Sequence, residues 1–291
     1  SAADRLAASV REFGYHLTTG FVGTPYLCHV LSRFGHTDLA YELLNQESYP
    51  SWLYPVKKGA TTIWERWDGI KPDGSFQDAG MNSFNHYSYG AIGDWMYRVA
   101  AGIDTAADGP GYKHILIQPQ PGGGLTHVRA TLKTGFGEVV SAWQLSDTNM
   151  SIQVTVPPNT CATVRIPATA AAQVTEGGAT VTGKLVDGAL VVEVGAGQYN
   201  FVTTGMTSSQ AMAKVRHIAG RIDIGSDLQD VLKNERARAL LAKYVGEDTL
   251  RSPMFGWMAN QPVDALARLA PHRFSKEKLV ELAKELVAIN G

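Results

Sequence analysis

From Gly59 to Asp68 the chain reads Gly59-Ala60-Thr61-Thr62-Ile63-Trp64-Glu65-Arg66-Trp67-Asp68, which puts two tryptophans, two carboxylates and an arginine into five residues. Trp64 and Trp67 are three apart, and so are Glu65 and Asp68. These are the residue types of a sugar site: aromatic faces take the apolar faces of the ring, and fixed carboxylates hold hydroxyls or activate a water. The bland alternative is a partly buried aromatic hairpin or helix end, with Arg66 paired to an acidic neighbour. Next comes a stretch of turn formers, Gly69, Pro72-Asp73-Gly74, Gly80 and Asn82, which also carries Phe76, Gln77 and Asp78. Loops of this length inside a compact domain are usually functional or disordered. The aromatic segments on both sides favour an ordered loop at a site rim. His86 follows, beside Asn85 and Tyr87. It is either a structural hydrogen-bonding residue or part of the site.

The elements that must position these residues are helical. Residues 2–12 are rich in Ala, Arg and Glu and form a predicted helix. Thr24-Pro25 reads as a helix start, with Thr24 as cap, and Gly35 as the stop. Thr37 or Asp38 opens the next helix, completing a hairpin of the kind that repeats in all-helical toroids. Glu42 and Glu47 lie there, where solvent-exposed charge is the default. The segment 84–101 is the clearest helix, with Phe84, Tyr87, Ala91, Trp95 and Val99 recurring at three and four. Gly90 and Gly93 within it permit close approach of a neighbour.

At Asp108-Gly109-Pro110-Gly111 the character changes, and from 112 to 203 the period is two. Ile115 and Ile117 alternate, Ile152 to Val156 is the plainest strand, and Val181 to Lys184 is another. Short strands between Gly-rich turns indicate an antiparallel sandwich or barrel. His127, Arg129 and Glu138 fall on outward faces as single charges. The sandwich is open to a carbohydrate-binding or a purely structural reading. Beyond Thr204 the pattern is helical again: 208–218, an amphipathic run from Leu228 to Tyr244, a helix led by Pro262, and a last one from Ser275 with Leu282 and Leu286. The expected domains are therefore 1–108, 109–203 and 204–291.

Three phrases in series carry a resemblance: ATTIWERWDG at 60–69, SFQDAGMNSFNHYSYGAIGDWMYR at 75–98 and GPGYKHILIQPQPGGGLTHVRATLKTGFGEVVSAW at 109–143. With their flanks, from about residue 12 to 203, they resemble the C-terminal portion of bacterial alpha-L-rhamnosidases, glycoside hydrolase family 78. The resemblance implies the terminal hairpins of an (α/α)6 toroid, then an antiparallel β-sandwich; the small all-helical module of 204–291 lies beyond it. It also implies inverting hydrolysis of terminal alpha-L-rhamnosides, with Glu65 as the general base, His86 as a sugar contact, and Trp64 and Trp67 in the aromatic wall around the sugar.

An inverting glycosidase needs a second carboxyl group, about 6.5–9.5 Å from the first, to protonate the leaving oxygen. Glu65 and Asp68 would point the same way if they shared a helix face, so Asp68 reads as a local partner of Arg66, a helix cap or a supporting acceptor. The family's general acid lies upstream of the matching segment. The chain thus reads as part of a longer enzyme, inactive in isolation. The alternative is a non-catalytic carbohydrate-binding or structural fragment with the helical tail as a docking module. An incomplete toroid implies an apolar edge to be covered by the upstream segment or by a second copy.

The totals restrict the partners. Twenty-six basic and 27 acidic residues leave a formal charge of −1 in 291 residues, which argues against nucleic acid or an anionic membrane surface. No apolar run approaches the roughly 18 residues of a membrane span. No signal-peptide pattern opens the chain, and cytoplasmic and exported locations both stay open. Cys28 and Cys161 read as free and buried, and dispersed histidines suggest no metal or other cofactor.

Overall fold

A computed structural model of the chain describes residues 2–146, 148–168, 173–205 and 228–252, with nine further positions between 255 and 289. It divides into two compact units, one from Ser1–Ala91 and His217–Gly291, the other from Ile92–Arg216. Helical hairpins are followed by a sandwich of two sheets and a small helical tail. The tail groups with the hairpins, and the segment 92–108 groups with the sandwich.

In the first unit, helix α1 (Ala2–Glu12) buries Ala3, Ala7 and Val10, one face at the helical spacing. Helices α2 (Thr24–Arg33) and α3 (Thr37–Leu44) form the expected hairpin. Gly35 makes the reversal, with φ +85° in the left-handed region that favours glycine, and the His36 N–H returns to the Leu31 carbonyl at 2.8 Å. The start of α2 differs from the sequence reading. Thr24 is its first residue rather than its cap, and its hydroxyl meets Thr19 Oγ1 at 2.8 Å. Glu42 also departs from expectation: at 4 % exposure it is buried, on the face of α3 that carries Leu39 and Leu43. A short helix α4 (Leu53–Lys57) ends before Gly59, whose φ is +86°.

The tail contributes α6 (Leu228–Lys233), α7 (Glu235–Val245) and α8 (Glu247–Leu250); α5 (Ile92–Trp95) belongs to the second unit. The run from Leu228 to Tyr244 is broken because Asn234 acts as an N-cap, its Oδ1 accepting from the Ala237 N–H at 3.1 Å. Leu228, Val231, Ala237, Leu241, Leu282 and Leu286 are buried together, and Phe13, just past α1, packs against them. The expected helix at 208–218, the start at Pro262 and the cap at Ser275 lie outside the described residues.

The expected helix of 84–101 does not keep one period. Tyr87–Ala91 is a 3-10 turn, α5 (Ile92–Trp95) is α-helical, and Met96–Ala100 widens to a π turn closed by Ala101 N–H to Met96 O at 2.9 Å. In the second unit, strands β1 (Ile103–Thr105), β2 (His114–Ile117), β6 (Cys161–Pro167), β10 (Ala189–Val194) and β9 (Lys184–Val186) form one sheet in that order. The other runs β3 (His127–Thr134), β4 (Gly137–Leu145), β5 (Asn149–Val156), β11 (Gly197–Thr204), β7 (Gln173–Glu176), β8 (Ala179–Thr180). Pairing is antiparallel except between β2 and β6, which run parallel. Ile115, Val139, Trp143, Ile152, Val164 and Phe201 fill the space between the sheets. Trp143 donates its indole N–H to Ala100 O at 2.8 Å, and Ser141 its hydroxyl to Ala101 O at 2.7 Å.

Strand β9 begins at Lys184, later than the sequence pattern suggested. At Gly183 a Cβ would lie 2.6 Å from Val191 O, so the chain there runs too close to its neighbour for any side chain. Both cysteines are free, but Cys161 is exposed at the start of β6, against expectation, while Cys28 is buried and its thiol pushed up to about 12 by burial. Among the described residues, no helix is long and apolar enough to cross a membrane, and no group of three or more His, Cys, Asp or Glu side chains is placed to hold a metal ion.

Candidate active site

The segment Ile63–Asp68 is neither helix nor regular strand. It lies beside 83–86 and is tied to it by backbone. The Glu65 N–H donates to Ser83 O at 2.9 Å, and the His86 N–H donates to Ile63 O at 2.8 Å. The Thr62 hydroxyl adds a bond to Phe84 O. The Ser83 N–H in turn donates to Glu65 Oε2 at 3.0 Å. A backbone hydrogen bond thus fixes the half-buried carboxylate through one oxygen. Its Oε1 has no protein partner among the described residues.

The two tryptophans are used differently. Trp64 is 5 % exposed, and its ring meets Phe84 edge to face at 5.1 Å. Gly69 lies beneath both rings: a Cβ there would come within 3.1 Å of each. Trp64 therefore has no open face to offer a sugar, which departs from its expected place in the aromatic wall. Trp67 is half-buried. It stacks on Tyr89 at 3.7 Å and 15°, and meets Trp52 edge-on at 5.7 Å. The Trp52 indole N–H donates to Tyr89 O at 2.9 Å, which fixes this trio.

His86 joins the same tract. Its ring stacks on Phe21 at 4.6 Å and 9°, and Phe21 lies 5.1 Å from Tyr89. The Nδ1 of His86 is buried without a hydrogen-bond partner among the described residues. Phe21 thus links the histidine to Tyr89, and Tyr89 in turn links to Trp67. Burial raises the Tyr89 phenol pKa, and the negative charge of Glu65 raises it further, so the carboxylate is within electrostatic reach of that ring. Glu65, His86 and Trp67 are thus brought to one aromatic tract. Phe21, Trp52 and Tyr89, which join them, carry no local signal in the sequence; only their aromatic character marked them.

The loop 69–83 is held by its own side chains. Asp73 Oδ1 accepts from the Ser75 N–H at 2.9 Å, and Asp78 Oδ1 accepts from the N–H groups of Gly80 and Met81 at 2.7 and 3.1 Å. Asn82 Nδ2 donates to Gly69 O at 2.8 Å, and Arg66 donates to Gln77 Oε1 at 2.6 Å. Arg66 therefore anchors the loop, a role the sequence reading gave instead to pairing with an acidic neighbour. Asp68 is buried, at 8 % exposure.

Residues 1–100 match the bacterial alpha-L-rhamnosidase 6 hairpin glycosidase domain, and residues 102–180 match the bacterial alpha-L-rhamnosidase C-terminal domain. An alpha-L-rhamnosidase of Streptomyces avermitilis is 49 % identical over 201 residues, 69 % of this chain and 19 % of the relative. The crystal structure of the Streptomyces avermitilis enzyme complexed with L-rhamnose superposes with TM-score 0.65 at 48 % identity, over 69 % of this chain and 19 % of that one. That of the Dictyoglumus thermophilum alpha-L-rhamnosidase gives 0.60 at 36 % identity, over 65 % and 21 %. The chain spans about a fifth of the length of these relatives. With the two domain types matched in series over 1–180, the chain belongs to the bacterial alpha-L-rhamnosidase family.

Proposed function

We propose that this chain supplies the general-base half of an inverting alpha-L-rhamnosidase site. The observation that carries the reading is the state of Glu65: one oxygen held by the Ser83 N–H, the other without a protein partner among the described residues, beside an aromatic tract. A general base needs an orientation fixed from behind and a basic oxygen left for a water. In this reading Oε1 accepts a proton from the water that attacks the anomeric carbon, and the bond to the leaving oxygen breaks on the opposite face. Trp67 with Tyr89 borders the sugar, and His86, stacked on Phe21 in the same tract, contacts it. Trp64 supports the Glu65 segment from below. The general acid comes from a segment other than this chain, so the substrate, a terminal alpha-L-rhamnoside, is cleaved only by the complete protein.

The test is Glu65→Gln in the complete enzyme with an aryl alpha-L-rhamnoside. The glutamine keeps the Ser83 bond and removes the base. Turnover should fall by about 100- to 10,000-fold, the usual worth of general-base assistance, with the KM little changed. Full turnover in that variant would remove Glu65 from the chemistry. Calorimetric titration of this chain alone with L-rhamnose separates a retained sugar site from a purely structural part: heat on binding supports the first, and none at millimolar sugar the second.

A further inference from the structure

The outer face of the sheet containing β3, β4 and β5 carries a cavity of about 320 Å³, within the range of small-ligand sites (about 300–1,000 Å³). Its side-chain lining is His127, Arg129, Ala142, Gln144, Ser151 and Gln153. The register explains why these six converge. His127 pairs with Gln144 and Gln144 with Ser151; one step along, Arg129 pairs with Ala142 and Ala142 with Gln153. Side chains alternate across a sheet, and Ala130, Trp143 and Ile152 belong to the core, so this set faces the other way. Ala142 makes the hollow: a methyl floor with a guanidinium on one side and a carboxamide on the other. Asn200, paired with Gln153 from β11, continues the row.

Two properties of this lining narrow its ligand. Among the described residues it contains a guanidinium and an imidazole but no carboxylate. Among the described residues, Arg129, Gln144, Ser151 and Gln153 also make no hydrogen bond or ion pair with the protein through their side chains. The guanidinium is exposed and has no protein counter-charge among those residues, so its donors are free to take an anion from solution. The neutral groups around it both donate and accept, which matches hydroxyls and not an acceptor-only ion such as phosphate. A guanidinium fork matches a carboxylate through two parallel bonds. We propose that this face binds a carboxylate-bearing saccharide, a uronate unit: its carboxylate on Arg129, its hydroxyls on Gln144, Ser151 and Gln153, and its ring over Ala142. The proposal does not rest on the role of Glu65.

The full chain, labelled with 15N, would be titrated with methyl β-D-glucuronide, methyl β-D-glucoside and sodium acetate, following the amides of β3, β4 and β5. The expected result is saturable shifts with the glucuronide, binding at least about tenfold weaker for the glucoside and for acetate, and a loss of about tenfold or more in Arg129→Ala, as for removal of a charged hydrogen bond. Ala142→Leu, which fills the hollow and leaves the charge, should abolish the shifts. No shift with the glucuronide, equal binding of all three probes, or unchanged binding in either variant would overturn the proposal.

Discussion

Glu65 and its two flanking tryptophans show how residues of one chemical type diverge once their surroundings are fixed. Trp64 faces inward against Phe84, and Trp67 faces the tract of Tyr89 and His86. Substitution should separate the two. In the complete enzyme, Trp64→Ala removes a buried indole and should cost about 3–5 kcal/mol of stability. Trp67→Ala should chiefly raise the KM for an aryl rhamnoside with a smaller change in Tm. Thermal unfolding and a kcat-against-KM split measure both; a Trp64→Ala protein with unchanged Tm and raised KM would reverse the assignment. The residue types of this site were legible in the sequence, because carboxylates and tryptophans crowded into five positions are a compositional signal. The allocation of faces was not. It depends on Gly69 admitting two rings and on Tyr89 and Trp52, whose bond joins positions 37 residues apart.

The elements were read well where periodicity decides and poorly where hydrogen bonding does. Alternation gave β5 and β11 because each has one face in the core. The parallel register of β2 and β6 has no such signature. It is tied by a chain of side-chain bonds: Asp108 to His114 at 2.9 Å, His114 to Thr163 at 2.7 Å, and the Thr163 hydroxyl to Glu193 at 2.6 Å. The loop 69–83 is legible as turns through its Gly, Asn and Asp, and the turns rest on two carboxylates. The Ser75 N–H and then its hydroxyl hold Asp73 below the usual carboxylate range; the N–H groups of Gly80 and then Met81 do the same for Asp78. A carboxylate whose folded pKa is depressed stabilises the folded loop above its unfolded pKa. That contribution is lost as the pH falls through the lower, folded value. The Gly80 and Met81 amide resonances should therefore shift together only below the ordinary carboxylate range, and Asp78→Asn should abolish the shift. Movement of both amides within the ordinary range would refute the role given to Asp78.

At the scale of the whole molecule, the sequence marked the change to strands but not the company the tail keeps. The tail brings its own apolar cluster, yet Phe13, next to the first helix, belongs to the packing of Leu228, Leu241 and Leu286. Phe13→Ser should weaken that packing by about 2–4 kcal/mol, on the scale of a large-to-small change at a partly buried aromatic. Hydrogen exchange should register the loss in both α1 and α7. Faster exchange in α1 alone would argue against the contact. Local patterns could not reveal it, because nothing in either segment names a partner more than 200 positions away. That separation bears on synthesis. At roughly 5–20 residues per second, the chain needs on the order of 10–40 s to travel from Phe13 to Leu228. All the described strands of the sandwich emerge in that interval, so a ribosome-bound chain can complete its β-unit while Phe13 still waits for its apolar cover, an aromatic open to a nascent-chain chaperone throughout.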